Sequence, residues 1–78
     1  MTDSHSIIRV AFQRVAPHAS NIQRLREITE VIAGNSEAPE EIVARLRSIM
    51  VHEDITVRTD IRILINEIRH IVAGNKST

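Results

Sequence analysis

Apolar residues recur along this chain at helical spacing, with nothing strand-like between them. Ile8, Ala11, Phe12 and Val15 stand at i, i+3, i+4 and i+7, one face of a helix. This spacing predicts a first helix over about 4–16, stopped by Pro17 because the residue before a proline is pushed out of the helical region. His18 and Ala19 then form a short joint. Ser20-Asn21-Ile22-Gln23 reads as a capping box, in which the serine oxygen accepts from a first-turn amide and Gln23 reaches back to the cap. It opens a second helix over 20–33 with Ile22, Leu25, Ile28 and Ile32 inward. The third helix, 39–52, starts at Pro39, whose missing N–H costs nothing there, and Glu40 and Glu41 suit the positive end of its dipole. Ile42, Leu46, Ile49 and Met50 form its apolar stripe, and Arg45 and Arg47 fall outside it.

His52-Glu53-Asp54 is polar enough to be a turn, with Asp54 or Thr56 as the next cap. The last helix, 55–73, carries the strongest periodicity, from Val57 and Ile61 through Leu64, Ile65, Ile68, Ile71 and Val72. Two segments, Val31-Ile32-Ala33-Gly34-Asn35 and Ile71-Val72-Ala73-Gly74-Asn75, run into Gly-Asn. Glycine reaches the left-handed conformation that closes many helices, so both are expected to be helix stops. The two endings lie forty positions apart, and Leu25, Glu27, Ile28, Val31 and Ile32 meet Ile65, Glu67, Ile68, Ile71 and Val72 at that offset. The generic likeness of amphipathic helices explains this more simply than an old duplication does. The expected fold is all-α: one domain over 1–78, a small bundle of about four short helices.

Size changes this picture in one respect. A chain of 78 residues sits near the limit where one core suffices, and here the core is aliphatic, with Phe12 as the only aromatic residue. With no cysteine, neither a disulfide nor thiolate chemistry is possible. Oligomerisation is the usual remaining remedy, so an intertwined homodimer is expected. Ile63, on the last helix, lies off the main stripe near Thr59 and His70, which makes Ile63 and His70 the candidate dimer contacts. Single exposed apolar residues are also ordinary.

Ten basic and ten acidic residues balance to zero, which argues against a histone-like DNA binder, whose affinity comes from releasing counterions. Nearly all the basic residues are arginine, whose planar fork suits carboxylates and phosphates. At about 100° per residue Arg58, Arg62 and Arg69 cluster on one flank of the last helix. They are the candidate partner-binding residues, for an acidic protein surface or a phosphate backbone; the alternative is three solvated side chains whose stems screen the core edge. His5, His18, His52 and His70 do not stand at metal-ligand spacing, so no metal is expected. Neither a glycine-rich phosphate loop nor a nucleophile–base set is present, and an enzyme or a bound cofactor is not expected. The first residues lack the basic and apolar regions of a signal peptide, and no apolar run reaches the roughly 18 residues of a membrane span. A cytoplasmic protein with no membrane partner is expected.

A helix closing at Gly34, a polar loop, a helix ending in Glu53-Asp54-Ile55, and a final helix opening at Asp60-Ile61 and closing at Ile71-Val72-Ala73-Gly74 resemble the YmgB/AriR family. Its relatives include the biofilm-dependent modulation proteins of enterobacteria. The resemblance covers roughly residues 25–75. In this chain Ile55-Thr56-Val57-Arg58-Thr59 intervenes before Asp60, a longer stretch than the family has. The resemblance implies a small helical homodimer that connects to two-component signalling or regulates biofilm and acid-resistance genes. It brings no catalytic residue and no defined binding motif. The expected function is therefore a non-enzymatic regulator that binds a regulatory protein partner. The alternatives are a DNA-binding modulator of nucleoid-associated type and an accessory subunit of a phage, plasmid or secretion system.

Overall fold

In the first helix, α1 (Ser6–Val15), Ile8, Ala11 and Val15 are buried along one face. The computed structural model describes residues 6–34 and 38–76, and every element among them is helical. At Ala16 the chain tightens into a 3₁₀ turn, Ala16–His18, closed by the Ala19 amide donating to the Ala16 carbonyl at 3.1 Å. Proline fits this turn because no helical hydrogen bond is asked of its nitrogen.

The second helix, α2 (Ile22–Ala33), buries Leu25, Ile28, Thr29, Ile32 and Ala33. Ile22 was expected inward but is exposed. The cap is Asn21 rather than Ser20: its side chain accepts from the Arg24 amide at 3.2 Å. The Ser20 amide instead donates to a buried carboxylate on another helix. Gly34 follows with φ −83° and ψ −11°, right-handed backbone that any residue adopts. The expected left-handed glycine stop is thus corrected, and no described glycine has positive φ. Residues 35–37, within the predicted polar loop, lie outside the described chain.

Helix α3 (Pro39–Met50) begins at its proline with Glu40 and Glu41 in the first turn, and buries Ile42 and Leu46. The turn that follows is held by the His52 and Glu53 amides, which donate to the Ile49 and Met50 carbonyls at 2.9 and 3.2 Å. Asp54 caps the next helix, accepting from the Val57 amide at 3.3 Å and the Thr56 hydroxyl at 3.0 Å. Helix α4 therefore runs from Ile55 to Lys76, and Asp60 lies inside it rather than at its start. It also continues through Gly74, so the second Gly-Asn is not a helix stop. Nothing lies within 4 Å of where a Gly74 side chain would sit. The forty-residue parallel holds for burial of Leu25 and Ile28 against Ile65 and Ile68, and ends at the glycines.

At about 1.5 Å per residue the 22 residues of α4 span about 33 Å of a molecule 37 × 23 × 20 Å across. It packs chiefly against α1 and α3, and α2 packs chiefly against α1. Val57, Ile61, Leu64, Ile65 and Ile68 of α4 meet Ile8, Leu25, Ile32, Ile42 and Leu46 in one aliphatic core. A polar contact also ties α2 to α4. The buried Asp60 carboxylate accepts from the Ser20 amide at 2.8 Å and the Asn21 amide at 2.7 Å. A carboxylate from α4 thereby satisfies two amides at the start of α2, where a negative charge also complements the helix dipole.

Candidate partner-binding surface

Charge is neutral in total but unevenly paired. Arg9 bonds Glu30 at 3.0 Å, Arg14 bonds Glu67 at 3.0 Å, and Arg45 bonds Glu41 at 3.5 Å. Arg24 grips Glu53 through both Nε and Nη2 and also reaches Glu27 at 3.1 Å. This two-point contact holds the Glu53 carboxyl below the usual glutamate range and pushes the Arg24 guanidinium above its ordinary value. Arg26 lies 5.8 Å over the Phe12 ring, a cation–π distance. Like Arg26, the four arginines Arg47, Arg58, Arg62 and Arg69 have no acidic partner among the described residues.

Three of these four belong to α4. A helix advances about 100° per residue, which places Arg58, Arg62 and Arg69 within about 40° of one another. All three are exposed. The opposite flank of α4 is the one tied to α1 by Arg14 and Glu67. The arginine flank borders α3, because Arg69 lines a groove between the two helices.

That groove, about 410 Å³ in volume, lies between the N-terminal half of α3 and the C-terminal half of α4. Val43, Ala44 and Val72 give it an apolar surface, with the buried Ile68 in its lining, Arg47 and Arg69 line it from opposite helices, and Pro39 and Glu40 stand at the α3 N-terminal end. The sequence places Arg47 outside the α3 stripe without linking it to Arg69. Val43 carried a usable signal, an apolar residue beside Ile42 that widens the stripe of α3 toward the groove.

Ile63 and His70 do share a side of α4, about 20° apart in projection. Their surroundings differ. His70 is exposed, whereas Ile63 is half-buried against the chain's own core. More exposed apolar residues are Val51, Ile55 and Val31, at 72, 70 and 60%. Val51 and Ile55 bracket the polar turn, a placement visible in the sequence once the turn is known.

Among the described residues, no three His, Asp or Glu side chains gather as metal ligands, and no helix is long and apolar enough to cross a membrane. Comparison with protein-family models, with curated proteins and with solved structures returned no match.

Proposed function

We propose that this chain is a small non-enzymatic cytoplasmic regulator, working as a homodimer, that binds an acidic surface on a partner protein through Arg58, Arg62 and Arg69. The observation that carries the reading is the contrast within one charge class. Arg9, Arg14, Arg24 and Arg45 each pair with a glutamate of this chain, while Arg58, Arg62 and Arg69, on one exposed flank of α4, have no acidic partner among the described residues. Exposed guanidinium forks match carboxylates in two-point geometry. A role as a connector in two-component, biofilm or acid-stress signalling rests on the sequence resemblance alone.

A second reading, binding to DNA, draws on the same row of cations. The zero net charge and the apolar groove that Arg69 borders favour protein over nucleic acid. The test is the triple variant Arg58→Gln, Arg62→Gln, Arg69→Gln, with circular dichroism and titrations against a glutamate-rich peptide and a DNA duplex. All three side chains are exposed, so helicity is expected to stay unchanged while peptide affinity falls. Affinity for every duplex, falling steeply with salt in the wild type and less steeply in the variant, would establish the DNA reading instead. A variant that binds both probes as the wild type does refutes this surface altogether.

A further inference from the structure

We infer that the α3–α4 groove seats an amphipathic acidic helix of a partner protein, with apolar side chains on Val43, Ala44 and Val72 and carboxylates on Arg47 and Arg69. This rests on the reading that the arginine flank binds an acidic protein, and it adds the form of the segment recognised. Charge complementarity names the occupant. The two arginines on facing helices lack acidic partners among the described residues, so each is open to a carboxylate at the edge of a ligand entering between them. Between them the accessible surface is apolar, with Ala44 exposed and Val43 and Val72 half-buried, and this suits a ligand whose middle is apolar. A helix supplies both at once: apolar anchors at i, i+3 or i+4, and i+7, with carboxylates flanking them. About 410 Å³ accepts a few aliphatic side chains, within the usual range of ligand clefts. Glu40 sets the polarity of the site, because it opposes carboxylates at the α3 N-terminal end and leaves the arginines to receive them. A second copy of this chain is a poorer occupant, since its groove would bring two arginines and only one glutamate, Glu40, to face the same set.

The experiment uses the full chain and two labelled peptides of about four helical turns, of equal composition in Leu and Glu. In one the leucines form a stripe; in the other the order is scrambled. Fluorescence anisotropy gives affinity, and amide shifts by NMR give location. The striped peptide is expected to bind about tenfold more tightly than the scrambled one, the scale set by burying a leucine-sized side chain, and to shift the amides of Val43, Ala44, Ile68 and Val72. Arg47→Gln with Arg69→Gln should weaken it by a similar factor. Ala44→Trp, which fills the groove and keeps every charge, should remove the preference for the striped peptide. Both variants alter exposed side chains, so each stands if the other folds poorly. Equal binding of the two peptides, or shifts away from the groove, overturns the helix-binding inference and leaves the arginine flank standing. Failure of both peptides to bind overturns the arginine flank as well. Groove shifts that grow with protein concentration and no peptide show a second copy there, and competition by duplex DNA shows nucleic acid; either overturns the proposed occupant.

Discussion

Asp60 shows how one side chain can hold two helices together. Its carboxylate is buried, and both oxygens are used, one by the Ser20 amide and one by the Asn21 amide. Hydrogen bonds to a charged acceptor contribute more than neutral ones, and removing the acceptor leaves both donors without it. Asp60→Ala is therefore expected to lower stability by about 2–3 kcal/mol, read as a shift in the urea midpoint. Thr29 is the opposite case. It is 1% exposed, and its hydroxyl has no hydrogen-bond partner among the described residues. Thr29→Val keeps the branched shape and removes the orphan oxygen, so a gain of about 1 kcal/mol is expected in the same titration.

At the scale of the helix, both glycines sit in backbone that favours a side chain. Gly34 has right-handed backbone, and an added methyl would meet only ordinary contacts, the Glu30 and Val31 carbonyls at 3.7 and 3.8 Å. Gly74 lies inside α4 with open space around it. Gly74→Ala should raise helix stability by up to about 1 kcal/mol, measured by thermal circular dichroism, because alanine loses less backbone entropy. Gly34→Val carries no left-handed penalty, since its φ is negative. The joint between α2 and the α3–α4 turn depends on pH. Arg24 lowers the Glu53 pKa in the folded chain relative to the unfolded one. The pair therefore stabilises fully above the ordinary glutamate range, and its contribution is lost as pH falls through the lowered folded value. Melting temperatures of the wild type and Glu53→Gln should differ at neutral pH and converge in acid. Arg9–Glu30, with both side chains more than half exposed, is a weak tie by comparison.

For the whole molecule, the question is what covers the apolar residues left outside. A single chain already gathers Ile8, Leu25, Ile42, Leu46, Ile61, Leu64 and Ile68 in one core, and Ile63 joins its edge. Val51, Ile55 and Val31 stay well exposed. Self-association that covers such residues is the expected outcome for a core of this size. Light scattering at rising micromolar concentration should approach twice the 8.8 kDa chain mass. A constant monomer mass with cooperative unfolding would remove the dimer, and with it any role for Ile63 and His70 as contacts.

What the sequence determined by itself is local. Apolar spacing on a 3.6-residue period marks four helices; Pro39 with Glu40 and Glu41, and Asp54 before Val57, mark two starts, because these effects act within one turn of chain. The same spacing placed Arg58, Arg62 and Arg69 on one flank. Tertiary structure decided everything that depends on distant residues. Asp60, which opens the final helix only in the resemblance to the YmgB/AriR family, accepts from amides 39 and 40 positions away, and the α2 cap is Asn21 rather than Ser20. Which arginines are neutralised was equally hidden, since Arg14 meets Glu67 across 53 positions and Arg24 meets Glu53 across 29. A glycine's sequence context shows which backbone it permits, but the run of α4 past Ile71 placed Gly74 in helix. The groove between Arg47 and Arg69 exists only where two helices meet, so no spacing along either one could reveal it.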